Sequence, residues 1–371
     1  MRVRLVTFQW LATASMLAAG CVGAGAEGSG EGGSSASPTG SEGGAGTEGE
    51  GGSADEASTT TNPDQPPTAP GGYYVEGNAI YDGQGDVHVF RGVARPSLEW
   101  TGMGENLNPQ DYEFMAGWGA NVVRIALNQG FWLEGSVAYV PGYPERIDQQ
   151  IEWAQAAGMD VILDLHWSDR GDFGTTPDQQ RMADANSVTF WDQVATRYQD
   201  DGRVLFELYN EPHDVTWQVW RDGGDSGEGF TAVGMQTLYD TVRATGAHNV
   251  VIAGGLDYAY DLKGVPSAPL SGYNIAYASH PYDFPNKAPA SWDADWGFLS
   301  ETYPIIVTEF GSFTCGADYA SQLIDYASDR SLSWTAWAWY PGGCEFPALI
   351  TDWVATPSEV GQVVRTALMS G

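Results

Sequence analysis

Two glutamates stand where short apolar runs end: Glu211 in Asn210-Glu211-Pro212, after Val204 to Leu208, and Glu309 in Thr308-Glu309-Phe310-Gly311, after Ile305 to Val307. Carboxylates so placed can divide acid–base and nucleophilic work. One gives a proton to a leaving oxygen while the other attacks or activates water, which is what cleavage of a glycosidic bond demands. Other polar residues close other apolar runs: Arg124 within Val122 to Leu127, His166 in Asp164-Leu165-His166-Trp167, His280 and Tyr282 around Pro281, and Trp337-Ala338-Trp339 at the end of the last run. Charged groups are costly to bury without partners, so such a set implies one shared destination. The plainer reading of each is local. A strand-end Glu, Arg124 or His166 can pair with a neighbour, and His280 and Tyr282 can simply pack. His88, His213 and His248 read as structural or exposed.

The elements that would position these residues follow from periodicity. Apolar runs recur as Phe90 to Val93, Val122 to Leu127, Val161 to Leu165, Val204 to Leu208, Val250 to Ala253, Ile275 to Ala278, Ile305 to Val307 and Trp334 to Trp339. Helical spacing fills the gaps over Pro109 to Trp118, Pro144 to Ala157, Ser187 to Tyr198, Thr231 to Thr245, Trp292 to Ser300, Ala317 to Ser328 and Ser358 to Met369, and only the fifth crossover lacks a helix. Apolar strands alternating with amphipathic helices predict a parallel sheet covered by helices, and eight units predict one (β/α)8 barrel. An open doubly wound sheet would need a Gly-rich turn after its first strand, where this chain has Arg95-Pro96-Ser97-Leu98-Glu99-Trp100. A short hairpin is expected before the barrel, pairing Tyr74 to Ile80 with Val87 to Val93 across Asp82-Gly83-Gln84-Gly85. In a barrel the strand C-terminal ends share one mouth, so the polar residues above converge there.

Ahead of the folded domain, 73–371, lie two segments of other composition. Arg2 and Arg4 precede an apolar run, which predicts a signal peptide over 1–21. Leu17-Ala18-Ala19-Gly20-Cys21 reads as a lipoprotein site with Cys21 lipidated; Ala24-Gly25-Ala26 is the alternative, ordinary cleavage site. Residues 22–72 are almost wholly Gly, Ser, Glu, Thr, Ala and Pro, a disordered tether. The formal charge is −32, and without the tether's eight acids and Arg2 and Arg4 the domain keeps 40 acidic against 14 basic residues, near −26. That balance disfavours nucleic acid and anionic lipid and suits a neutral polysaccharide. The expectation is a secreted or cell-surface bacterial protein, monomeric, touching a membrane only through the lipid. No metal-ligand spacing or phosphate loop is visible, and no cofactor is expected. Cys315 and Cys344 can pair in an oxidising compartment, bracing loops after the seventh and eighth strands; two separate thiols are the alternative. Fifteen tryptophans is a high count, and several, Trp132, Trp167 and Trp220 among them, fall at strand ends or in the following loops, where they are candidate sugar platforms.

Taken in order, Arg124, His166, Asn210-Glu211-Pro212, His280 with Tyr282, Glu309 and Trp339 resemble glycoside hydrolase family 5, the cellulase-like clan A retaining β-glycosidases. The resemblance implies a retaining endo-acting enzyme with Glu211 as acid/base and Glu309 as nucleophile. Glu309 would be kept ionised by Arg124 and Tyr282, and Glu211 would sit in a less polar site that raises its pKa. Asn210 and His166 would bind sugar hydroxyls, His280 would support Tyr282 or Glu211, and Trp339 or Trp337 would stack on a sugar ring, both pointing one way by strand alternation. Arg91-Gly92-Val93 and the Trp-x-Trp strand look closest to bacterial endoglucanases acting on β-1,4-glucan. Ala94 departs from the Asn such enzymes commonly carry, so mannan, xyloglucan and mixed-linkage glucan stay open as substrates, beside a non-catalytic surface protein that binds glycans.

Overall fold

The computed structural model describes residues 65–370; the signal peptide, the lipidation site Cys21 and most of the tether lie outside the described residues. The chain already lies on the barrel before Tyr73. Asn274 Nδ2 donates to the Pro67 carbonyl (2.9 Å) and Gly202 N–H to that of Pro70 (3.0 Å), so backbone groups tie down a stretch that composition assigns to the tether.

β1 (Tyr74–Glu76) and β2 (Ala79–Tyr81) form the N-terminal hairpin. Its tight turn is Gly77-Asn78, not Asp82 to Gly85: Gly77 takes φ +60°, as a two-residue hairpin turn demands, and Val87 meets Tyr81 in a single bridge. Ile80 is buried with Phe90, Val122, Ile162, Leu205 and Ile252, with Tyr73 and Val75 packed against the same cluster.

Eight parallel strands close the barrel: β3 (Arg91–Arg95), β4 (Val122–Asn128), β5 (Asp160–Trp167), β6 (Val204–Glu207), β9 (Val251–Gly254), β10 (Ile275–Ala278), β11 (Ile305–Val307) and β12 (Ser333–Ala336). A small hairpin, β7 (Gly224–Asp225) with β8 (Thr231–Ala232), lies in the sixth-to-ninth strand crossover. At Gly92 a Cβ would sit 1.8 Å from the Val122 carbonyl oxygen, so only glycine lets β3 approach β4 this closely.

The helices are α1 (Pro109–Gly117), α2 (Gln129–Trp132), α3 (Tyr143–Ala156), α4 (Ala185–Tyr198), α5 (Trp217–Asp222), α6 (Met235–Ala244), α7 (Trp292–Asp295), α8 (Asp318–Asp329) and α9 (Glu359–Met369). Local chemistry starts several of them: Asn108 caps α1 ahead of Pro109, Asp184 and Ser187 form a capping box on α4, and Ser358 caps α9. The expected helix over Trp292 to Ser300 is instead α7 and a 3₁₀ turn, interrupted where Trp296 turns inward against Trp292 and Tyr326. Between β9 and β10 the chain makes only a 3₁₀ turn, Val265–Ser267.

Alternation sets the barrel interior. Val122, Ile162, Leu205 and Ile306 form part of an apolar floor. Two residues further along the same strands stand Arg124, Asp164, Glu207 and Thr308, all fully buried.

Candidate active site

Arg124 organises the mouth. Its Nε donates to Glu207 Oε2 (2.5 Å), Nη1 to Glu309 Oε1 (2.5 Å) and Nη2 to Asn210 Oδ1 (2.8 Å), with Asp164 Oδ2 2.9 Å from Nη2. One guanidinium thus fixes side chains from β5, β6 and the exits of β6 and β11. Burial would lower its pKa, but Asp164, Glu207 and Glu309 together hold it well above the ordinary arginine value. Glu207 was not singled out from sequence, although its place two residues after inward-facing Leu205 marks it as an interior charge. Burial pushes Glu207 up, yet Arg124 and His280 outweigh this and bring it down to about 2. Asp164 goes the other way: burial and the charges of Glu207 and Glu211 prevail over Arg124, holding its carboxyl well above the usual range.

Glu309 receives a second donor, the Tyr282 hydroxyl on Oε2 (2.6 Å). Glu211 lies opposite, with His280 Nδ1 3.1 Å from its Oε1 and Gln179 Nε2 donating to its Oε2. Of the two supporting roles open to His280, the geometry gives Glu211. The imidazole is fully buried, which lowers its pKa, but Glu309, Glu207 and Glu211 raise it to about 9, and Nε2 meets Thr308 Oγ1 at 2.8 Å. The expected raised pKa of Glu211 is not found. Burial pushes it up, but the hydrogen bond and charge of His280, with His166 and Gln179, bring it below the ordinary value. Sequence reading missed this because His280 is 69 residues away and Gln179 lies in a loop.

Ligand atoms of Glu211, His280 and Glu309 all lie within 4.8 Å of one another, the one grouping among the described residues with the spacing to hold a metal ion. Arg124 already occupies Glu309 Oε1 and the Tyr282 hydroxyl Oε2, so the contacts these groups make are those of a hydrogen-bond network.

His166 reaches the mouth with Nδ1 2.5 Å from Asp164 Oδ2, and its ring stacks 5.6 Å from that of Trp337 at 9°. Trp337, largely buried with Ala94 and Tyr282, thus lies beside the mouth residues. Trp339 does not: it is fully buried, edge-on to Trp118, and donates Nε1 to Asp111 (2.8 Å). Alternation holds only within a strand, and β12 ends at Ala336. Trp132 and Trp220 are corrected likewise. Trp132 is buried against Tyr143 and Phe190 and donates to Gln193, while Trp220 is fully buried and donates to the Gly254 carbonyl (2.8 Å). Both sit on short helices, α2 and α5, which turn the indole inward. Trp167 stays partly exposed. Beside Trp337 runs an aromatic wall not foreseen as a unit: Phe346 (5.9 Å), Tyr340 and Trp100, all partly exposed. Cys315 and Cys344 form a disulfide, joining the loop after β11 to the loop after β12.

The chain is similar to known proteins in sequence and in fold. Endoglucanase E-5 of Thermobifida fusca is 26% identical over 348 residues, covering 84% of this chain and 68% of that protein. Endoglucanase MaCel5A of a Microbulbifer strain is 26% identical over 282 residues, covering 74% of this chain and 52% of that protein. The chain spans about half to two thirds of the length of these curated relatives. A crystal structure of a β-glucanase from Saccharophagus degradans with cellotetraose aligns with TM-score 0.66 at 25% identity, covering 81% of this chain and 93% of the other. The model for cellulase, glycosyl hydrolase family 5, matches residues 84–343, well over half the chain, with Glu211, Glu309 and every residue that contacts them above. The chain belongs to glycosyl hydrolase family 5, and it is a glycoside hydrolase.

Proposed function

We propose that this hydrolase is a retaining endo-β-1,4-glucanase in which Glu309 is the nucleophile and Glu211 the acid/base. The observation that carries the mechanism is the closeness of the pair, whose oxygens come within 4.8 Å. A retaining double displacement uses carboxyl groups about 5 to 5.5 Å apart, whereas an inverting one needs about 6.5 to 9.5 Å to seat a water. The naming of the relatives as endoglucanases supports the β-1,4-glucan reading.

Glu309 attacks the anomeric carbon with its carboxylate oriented by Arg124 and Tyr282, while Glu211 protonates the departing glycosidic oxygen. Covalent capture removes the Glu309 charge, one of the charges that sustain the His280 imidazolium. Glu211, ionised after giving up its proton, then takes one from the water that releases the sugar. Trp337, stacked on His166, offers its face to the ring being cleaved, and the Phe346, Tyr340 and Trp100 wall extends that surface for further sugars.

The test is hydrolysis of carboxymethylcellulose, mixed-linkage glucan, galactomannan and xyloglucan by wild type and Glu309→Gln, with proton NMR of the first product anomer. Reducing ends from the β-1,4-glucans by wild type alone, with the β-anomer appearing first, are expected. An α-anomer first would overturn retention, and preference for galactomannan would overturn the substrate. We also propose that Cys21 carries a lipid anchor, for which a mature N-terminus at Glu27 in mass spectrometry would be the contrary result.

A further inference from the structure

One side chain at the acid/base has no part in the scheme above. The loop after β5 folds back over the strand ends and is stitched at three places. Ser168 and Asp178 exchange two backbone hydrogen bonds (3.0 and 3.1 Å). Gln180 N–H donates to the Tyr209 hydroxyl (3.2 Å), which in turn donates to the Gln180 carbonyl (2.8 Å). The Arg181 carbonyl accepts from His213 N–H (3.0 Å). Between these anchors Gln179, its N–H tied to Asp178 Oδ1 (2.8 Å), extends its amide to Glu211 Oε2. The other oxygen, Oε1, faces fully buried His280, whereas Gln179 is partly exposed. Oε2 is therefore the oxygen on the cleft side, the one a glycosidic oxygen would approach.

We propose that Gln179 is a positioning residue for the acid/base step: it fixes Glu211 by donating to Oε2, and the leaving-side sugar takes that place when substrate binds. The inference rests on Glu211 being the acid/base. A donor on a carboxylate favours its ionised form, the wrong form for the first half-reaction and the right one for the second. Displacing Gln179 on binding makes Glu211 easier to protonate when a proton has to be given, and its return suits the carboxylate left afterwards. The other groups around Glu211 are His280 and Glu309 from the exits of β10 and β11, His166 and Asp164 from β5, Glu207 from β6, Tyr282, and, further out, Tyr258 and Lys287. None of them is hydrogen-bonded to Gln179, whose partners are Asp178 and Glu211.

The experiment is the pH profile of kcat/KM for Gln179→Leu and Gln179→Glu, on cellopentaose and on 2,4-dinitrophenyl β-cellobioside, whose leaving group departs without a proton. On cellopentaose the alkaline limb should move up by about half to one pH unit in Gln179→Leu, on the order of three- to tenfold in rate above the limb, and further in Gln179→Glu, where a like charge replaces the donor. No such shift should appear on the dinitrophenyl substrate. Glu211→Ala is the control, expected to lose at least a hundredfold more activity on cellopentaose than on the dinitrophenyl substrate. An unmoved limb in both Gln179 variants, folded by their thermal midpoints, or an equal loss on both substrates at every pH, would overturn the role of Gln179 alone. Equal losses on both substrates in Glu211→Ala would overturn the acid/base assignment and the inference with it.

Discussion

Glu207→Gln tests the charge layer beneath Glu211 and Glu309. It keeps the shape of the side chain and removes one of three carboxylates around buried Arg124. Depriving a buried ion of its partner typically costs about 3 to 5 kcal/mol. The displacement of Glu207 from 4.5 to about 2 gives a similar figure, about 3 kcal/mol. The cost at neutral pH should nevertheless be smaller, about 2 kcal/mol, because Asp164 can respond. Its carboxyl is held up by burial and in part by the charge of Glu207, and once that charge is gone it can ionise and pair with Arg124. Asp164→Asn alone replaces a carboxyl that burial already pushes towards its neutral form and should cost about 1 kcal/mol or less. The double variant leaves Arg124 with Glu309 alone and should lose about 5 kcal/mol, giving a coupling of about 2 kcal/mol beyond the sum of the single losses.

The assay is urea unfolding at pH 7 for all four proteins, with constant m-values as the check on comparability. The sign with pH is fixed. A carboxylate whose folded pKa is depressed contributes stability above its unfolded value, and that contribution is lost as pH falls. The gap between wild type and Glu207→Gln should therefore close from pH 4.5 towards 2. Strict additivity, or an Asp164→Asn cost equal to that of Glu207→Gln, would refute the argument that Asp164 holds the exchangeable proton of this layer.

Trp337→Ala should lower kcat/KM on cello-oligosaccharides by about ten- to a hundredfold, whereas Trp339→Phe, which loses the bond to Asp111, should lower the thermal midpoint with little change in activity; a loss of activity in Trp339→Phe with none in Trp337→Ala would return the platform to Trp339. His280 is raised from 6.5 to about 9, so its contribution is fully present below pH 6.5 and lost as pH rises to about 9; the fall in urea midpoint over that window should be shallower in His280→Gln. The Cys315–Cys344 bridge closes a separation of 29 residues, so Cys315→Ser with Cys344→Ser should cost about 3 to 4 kcal/mol on the chain-entropy account, and an unchanged urea midpoint would refute it.

The barrel was legible because its strands are short unbroken apolar runs and its helices carry their own caps. The mouth was legible for the same reason: Arg124, Asn210, Glu211, His280 and Glu309 interrupt or end apolar runs, and the fold brings those ends together. What escaped depends on orientation or on distant partners. Trp337 and Trp339 are two residues apart and would share a face in a continuing strand, but the strand ends before both. Trp132 and Trp220 sit in loops by position, yet short helices turn them inward. Glu207 left a signal in the inward alternation from Leu205. Gln179 left none, since its place is set by Tyr209, 29 residues from its neighbour Gln180, and by Ser168.

Glu309 and Glu211, the proposed nucleophile and acid/base, differ in what holds them. Both donors on Glu309 are buried and anchored: Arg124 is locked by Glu207, Asp164 and Asn210, and Tyr282 is buried beside it. Each donor takes one lone pair of a different Glu309 oxygen, which leaves each oxygen a second lone pair for the anomeric carbon. Glu211 has one such partner, His280, and one on a loop at the cleft side, Gln179. A nucleophile gains from fixed orientation, because misplacement costs rate directly. An acid/base group must change its proton twice in a turnover, and one removable partner lets binding and release of sugar set the time of each change.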